Sequence, residues 1–198
     1  MTQIDCYIST VSPYVYLAGR RVEEIAARNG ATLAYKPVDP SALFPRTGGQ
    51  ILKDRHDSRK AYRLQELRRW SVKTGLKLNL QPLFFPVNPA PSSYAVIAAI
   101  RDGGGDVAGL IHGFGRALWA ENKDIADAEV IADVLASNGY DPRIADLYML
   151  SAAETYVANL EEAIARGVFG VPFYIVGEEK FWGQDRLDDL DLHLQGKL

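Results

Sequence analysis

The sequence predicts an α/β fold carrying a large all-helical insertion, and three observations predict it. A strand-helix-strand pattern opens the 198-residue chain. A helix, two short strands and a last helix close it. Between them, from Asp39 to about Gly139, glycines and prolines punctuate only helix-like stretches.

The elements follow in order. Gln3 to Ile8 alternates, with Ile4, Cys6 and Ile8 on one face, as a strand requires. Ser12-Pro13 is a helix-start signal, because proline fits the first helical position without losing a needed N–H. The spacing predicts one helix through Val15, Leu17, Val22, Ile25 and Ala26, ended by Asn29-Gly30, with a second strand over Thr32 to Val38. In the central block the helical stretches are Ser58 to Thr74, Ser93 to Arg101, Val107 to Ala120 and Ala128 to Ser137. Asp141-Pro142 opens a short helix, Ala152 to Arg166 is a longer one, and Val171 to Gly177 and Lys180 to Trp182 form a strand and its hairpin partner. Leu187, Leu190 and Leu194 lie at helical spacing in the final segment. With the block removed, the order β-α-β then α-β-β-α is that of thioredoxin. The expected domains are therefore 1–38 with 140–198, thioredoxin-like, and 39–139, an inserted helical domain.

Composition narrows the function. A net charge of −3 spread without like-charge blocks leaves nothing to track a phosphate backbone, so nucleic acid is not an expected partner. No secretory signal opens the chain and no apolar run approaches the ~20 residues that span a bilayer, so no membrane association is expected. The single cysteine, Cys6, allows neither an internal disulfide nor a CxxC pair. A cytoplasmic, reducing location is expected. The three histidines, His56, His112 and His193, are far apart, and no metal site is expected. His112 reads as a solvated helix residue, with a place facing the inserted domain's cleft as the alternative, and Cys6 reads as a small core residue.

Three positions carry candidate chemistry. Ser12 stands where strand one meets helix one, the place of the reactive thiol in a thioredoxin fold; it is read either as a plain helix cap or as a hydroxyl that steadies a thiolate brought by another molecule. Val171-Pro172 stands where that fold places a cis-proline, with Val171 able to pair with an extended peptide backbone; an ordinary trans proline opening an edge strand is the alternative. Trp182-Gly183-Gln184-Asp185 turns into the last helix, where Asp185 either caps the helix or binds an ammonium group.

Read together, Ser12-Pro13-Tyr14-x-Tyr16-Leu17, Tyr62-x-x-x-Glu66-Leu67-x-Arg69-Trp70, Phe85-Pro86-Val87-Asn88, Ala117 to Glu121, Phe169-Gly170-Val171-Pro172 and Trp182 to Arg186 resemble 2-hydroxychromene-2-carboxylate isomerases over nearly the whole chain. A weaker similarity runs to kappa-class glutathione transferases. The resemblance implies glutathione as cofactor, a small aromatic oxoacid as substrate and a homodimer. It implies that Ser12 holds the thiolate, that Val171 pairs with the glutathione backbone and that Trp182, Gly183, Gln184 and Asp185 hold its γ-glutamyl end. Lys53 and Asn88 lie where the family contacts glutathione or the aromatic acid. The family's lysine after strand two and its Asn-Arg pair before the Trp70 helix are missing here, where the chain reads Phe44-Pro45-Arg46 and Lys53-Asp54, and Arg46 is the candidate to replace the missing charge. An enzyme is the favoured class, a glutathione transferase the alternative outcome, and a non-catalytic thioredoxin-like binding module the competing class.

Overall fold

The computed structural model describes residues 1–198. Its strands are β1 (Gln3–Ile8), β2 (Thr32–Pro37), β3 (Phe173–Val176) and β4 (Glu179–Trp182). They form one sheet in the order β2-β1-β3-β4. β1 runs parallel to β2, from Gln3 opposite Thr32 to Ile8 opposite Pro37, and antiparallel to β3, with Tyr7 opposite Phe173. Five of its six residues are buried, because helices cover both faces of this inner strand. The β3–β4 hairpin places Phe173 opposite Trp182, so the end of β4 lies beside the Val171-Pro172 corner.

Where one helix was expected after β1 there are two, α1 (Pro13–Ala18) and α2 (Arg21–Arg28). The break is at Gly19, whose φ of 62° and ψ of −142° take the chain out of helical geometry, a conformation open to glycine alone at low cost. The apolar positions on both sides still face the core, so hydrophobic spacing did not reveal the break.

The insertion begins with α3 (Pro40–Arg46), which the sequence reading did not resolve. Asp39 caps it by accepting from the Ser41 N–H at 2.8 Å, but Pro45 within seven residues hides its pattern. A single 3₁₀ turn, Leu52–Asp54, leads to α4 (Asp57–Thr74), α5 (Ala90–Asp102), α6 (Val107–Trp119) and α7 (Ala128–Ser137). The chain returns through α8 (Ile144–Leu147) and α9 (Met149–Ala165), which packs along α5, and after the hairpin ends in α10 (Leu187–Leu194). α4 buries only Leu67 completely, whereas α5 buries seven residues, so α4 lies outside and α5 inside. One cluster of 39 buried residues runs from Ile4 and Leu17 in the thioredoxin part through Leu67, Ala98 and Phe114 of the insertion. The insertion therefore has no principal core of its own and shares that of the sheet.

Candidate active site

Ser12 is buried and fixed at the head of α1. Its Oγ accepts from the Val15 N–H at 3.3 Å, while its own N–H donates to Ser9 O at 3.0 Å. The hydroxyl is thus a cap, yet accepting leaves its proton unused, and no acceptor in the chain takes it. Capping and donation are compatible in one side chain. Because α1 has only six residues, an anion here would be held by local donors more than by a long helix dipole.

The Val171–Pro172 peptide is cis. Val171 lies outside every strand, and neither its N–H nor its C=O bonds to any group of the chain. Pro172 and Val15 line the same small cavity, which sets this corner across from the Ser12 helix. The Gly183 N–H donates to Pro172 O at 2.9 Å and ties the next turn to the same place. Gly183 has φ 109°, and an added Cβ would lie 2.4 Å from the Asp185 carboxylate, so this turn needs glycine. The Trp182 ring, half exposed, meets Phe169 edge-on at 4.8 Å. Gln184 is buried, and its carbonyl accepts from Arg21, whose guanidinium lies 5.1 Å from the Trp70 ring. Arg21, unmarked by any motif, therefore holds the turn in position. Asp185 does not cap α10: the N-cap is Arg186, and the exposed Asp185 carboxylate makes only a 3.4 Å contact with that neighbour. Of its two readings, cap or ligand, the cap is not realised.

The outlying candidates behave differently. Arg46 forms a two-pronged ion pair with Glu161 of α9, at 2.6 and 2.9 Å, so its guanidinium is already engaged. Lys53 is exposed on the 3₁₀ turn and makes no hydrogen bond. Asn88 accepts from the Ala90 N–H at 3.0 Å and so turns the chain into α5. Cys6 is fully buried, and burial pushes its thiol well above the ordinary range, consistent with a core role. His112 is not solvated as expected. It is half-buried against Tyr16, ring centres 5.1 Å apart, with Nδ1 unpartnered, and burial lowers its pKa.

Sequence reasoning missed two cations, Arg55 and Arg63. Both are half-buried and neither has a carboxylate partner. Arg63 lies over the rings of Phe85 and Trp119, at 5.6 and 5.7 Å from their centres, and Trp119 Nε1 donates to Val11 O, one residue before Ser12, at 3.3 Å. Burial raises the Tyr14 phenol, which also feels the charge of Arg63 and Arg55. The signal was present: Arg63, Leu67 and Trp70 share one face of α4, putting a cation on the stripe that packs inward.

Residues 3–195 match the family described as "DSBA-like thioredoxin domain". The chain belongs to this DsbA-like family. Among DsbA-like proteins it is similar to 2-hydroxychromene-2-carboxylate isomerase of Sphingobium xenophagum, 28% identical over 96% of this chain and 97% of that one. It is likewise similar to the protein so named from Pseudomonas putida, 29% identical over 93% and 90%. A solved structure of 2-hydroxychromene-2-carboxylate isomerase superposes with a TM-score of 0.79 at 27% identity, covering 98% of this chain and 95% of the other. The expected thioredoxin-like α/β fold with its helical insertion is the fold observed. No helix is long and apolar enough to cross a membrane.

Proposed function

We propose that this DsbA-like protein is a glutathione-dependent isomerase of a small aromatic oxoacid, of the type that interconverts 2-hydroxychromene-2-carboxylate and trans-o-hydroxybenzylidenepyruvate. The names of its relatives support an isomerase. The observation that carries the cofactor is the Ser12 hydroxyl, buried, oriented by Val15 N–H and left with a proton to give.

The donor set fits glutathione at each end. A peptide backbone laid beside Val171 finds one free N–H and one free C=O, the pair that a strand-like ligand needs. The uncapped Asp185 carboxylate, beside the Gly183 turn, suits an α-ammonium group, and Trp182 offers a half-exposed apolar wall. When bound as the thiolate, glutathione supplies a nucleophile that adds reversibly to a conjugated carbon, so that rotation about the resulting single bond precedes its departure unchanged. Ser12 donates to the sulfur and lowers the free energy of the charged form. Burial of the Ser12 corner keeps water from competing for that hydrogen bond.

The test is an isomerisation assay with glutathione present in far smaller amount than substrate. Full conversion with glutathione recovered is the expected result. Stoichiometric loss of glutathione into an adduct would instead make the protein a transferase, and absence of both glutathione binding and turnover would leave a binding module.

A further inference from the structure

We infer that Arg63 is the carboxylate-binding residue of the substrate site, and that it selects an anionic aromatic substrate over a neutral one. The chemistry assigned to that substrate rests on the isomerase proposal; the binding site itself does not. Arg63 is the only arginine stacked on two aromatic rings, Phe85 and Trp119. The indole of Trp119 donates to Val11 O, so the ring beneath Arg63 is bonded to the loop that carries Ser12. Arg55 packs over Phe44 at 5.4 Å and spends only its Nε–H, on Gln50 O at 2.9 Å.

Arg166, also partly buried, pairs with Asp5 and Glu162, and partly buried Arg21 spends its donors on the carbonyls of Ala18 and Gln184. Glu66, three residues from Arg63 on α4, is taken by Arg69. A guanidinium drawn partly out of water without an acid raises the free energy of the empty site. An incoming carboxylate relieves that cost, because the planar fork of Arg63 donates two parallel N–H···O bonds to it. Phe85 and Tyr14, both only partly buried, supply flat apolar surface for an attached ring, while fully buried Trp119 backs the Arg63 guanidinium from below. The replacement charge expected at Arg46 is thus provided from α4, since Arg46 is bound to Glu161.

Titration calorimetry with salicylate and its neutral analogue salicylamide, in the absence of glutathione, tests this directly. Salicylate should bind the wild type, and salicylamide at least roughly tenfold more weakly, the discrimination expected of one charge-assisted two-pronged contact. Arg63→Met should lose about tenfold for salicylate and nothing for salicylamide, Arg63→Lys should recover part of the loss, and Arg46→Met should match the wild type. Equal binding of acid and amide, or wild-type affinity in Arg63→Met, would overturn the assignment. Reduced glutathione titrated separately reads the isomerase proposal, so failure of one is not failure of the other. Should Arg63→Met melt early, Arg63→Lys and the acid-to-amide ratio of the wild type still decide.

Discussion

At the scale of single residues, the site depends on side chains that spend part of their bonding capacity on the fold and keep part in reserve. Ser12 accepts one N–H and retains its proton, and Asp185 starts no helix although it stands where a cap is expected. Asp185→Asn removes a charge without removing a cap. Its melting temperature should stay within about a degree of wild type, whereas affinity for reduced glutathione should fall by roughly tenfold, the worth of a charged hydrogen bond. Calorimetry beside thermal melting checks both; a melt that drops while binding holds would make Asp185 structural. Ser12, Val171 and the Trp182–Asp185 turn were legible in the sequence because backbone punctuation marks them: a proline at a helix start, a proline before a strand, a glycine in a turn. Arg63 was legible only in part: its place beside Leu67 and Trp70 on one face of α4 marks it as inward-facing, but nothing local says that it meets aromatic rings and no acid. Its environment is set by Phe85 and Trp119, 22 and 56 positions further along the chain.

At the scale of elements, apolar periodicity located the strands and the long helices within a few residues, because burial on one face imposes it. It did not find the break between α1 and α2, where Gly19 changes direction without changing the buried face, or α3, which is too short and too proline-rich to show a period. Close approach between elements is equally silent in the sequence. Gly170 lets the Trp182 indole lie against the chain, since a Cβ there would stand 2.3 Å from its Nε1. Gly170→Ala should push Trp182 off Phe169 and open the end of β4. The expected signs are a changed tryptophan emission spectrum, a stability loss of about 1–3 kcal/mol from overpacking and weaker glutathione binding. An unchanged spectrum would mean that the turn yields without moving the indole.

For the whole molecule, a charged network fastens the sheet to α9. Asp5 and Lys36, on β1 and β2, meet Glu162 of α9 and Arg166 at its C-cap, with the Tyr7 hydroxyl donating to Glu162 at 2.9 Å. Burial pushes the Asp5 carboxyl up, but the bonds from Arg166 and Gln3 and the charge of Lys36 outweigh it and hold the group below its ordinary value; Glu162 is lowered against burial in the same way by Lys36 and Tyr7. A carboxyl with a depressed folded pKa binds protons more readily when unfolded. Its stabilisation is present above the unfolded value of about 4 and is lost as pH falls through the folded value. Acid unfolding should therefore steepen below about pH 4, and Asp5→Asn should lower stability at neutral pH while flattening that acid dependence. Denaturant melts at neutral and acid pH measure it. A parallel loss at both pH values would assign the effect of Asp5 to packing.

These scales meet in the claim that Ser12 steadies a thiolate brought by glutathione. The most direct measurement is the thiol pKa of bound glutathione, followed by the ultraviolet absorbance of the thiolate as pH is raised, in wild type and Ser12→Ala. The wild type should hold the bound thiol below its free value, and Ser12→Ala should raise it by about one to two units, the equivalent of ~1.5–3 kcal/mol for a hydrogen bond to a charged group. A bound thiol that titrates as it does free in solution, or at the same pH with and without the Ser12 hydroxyl, would contradict the account and leave Ser12 as no more than the cap of α1.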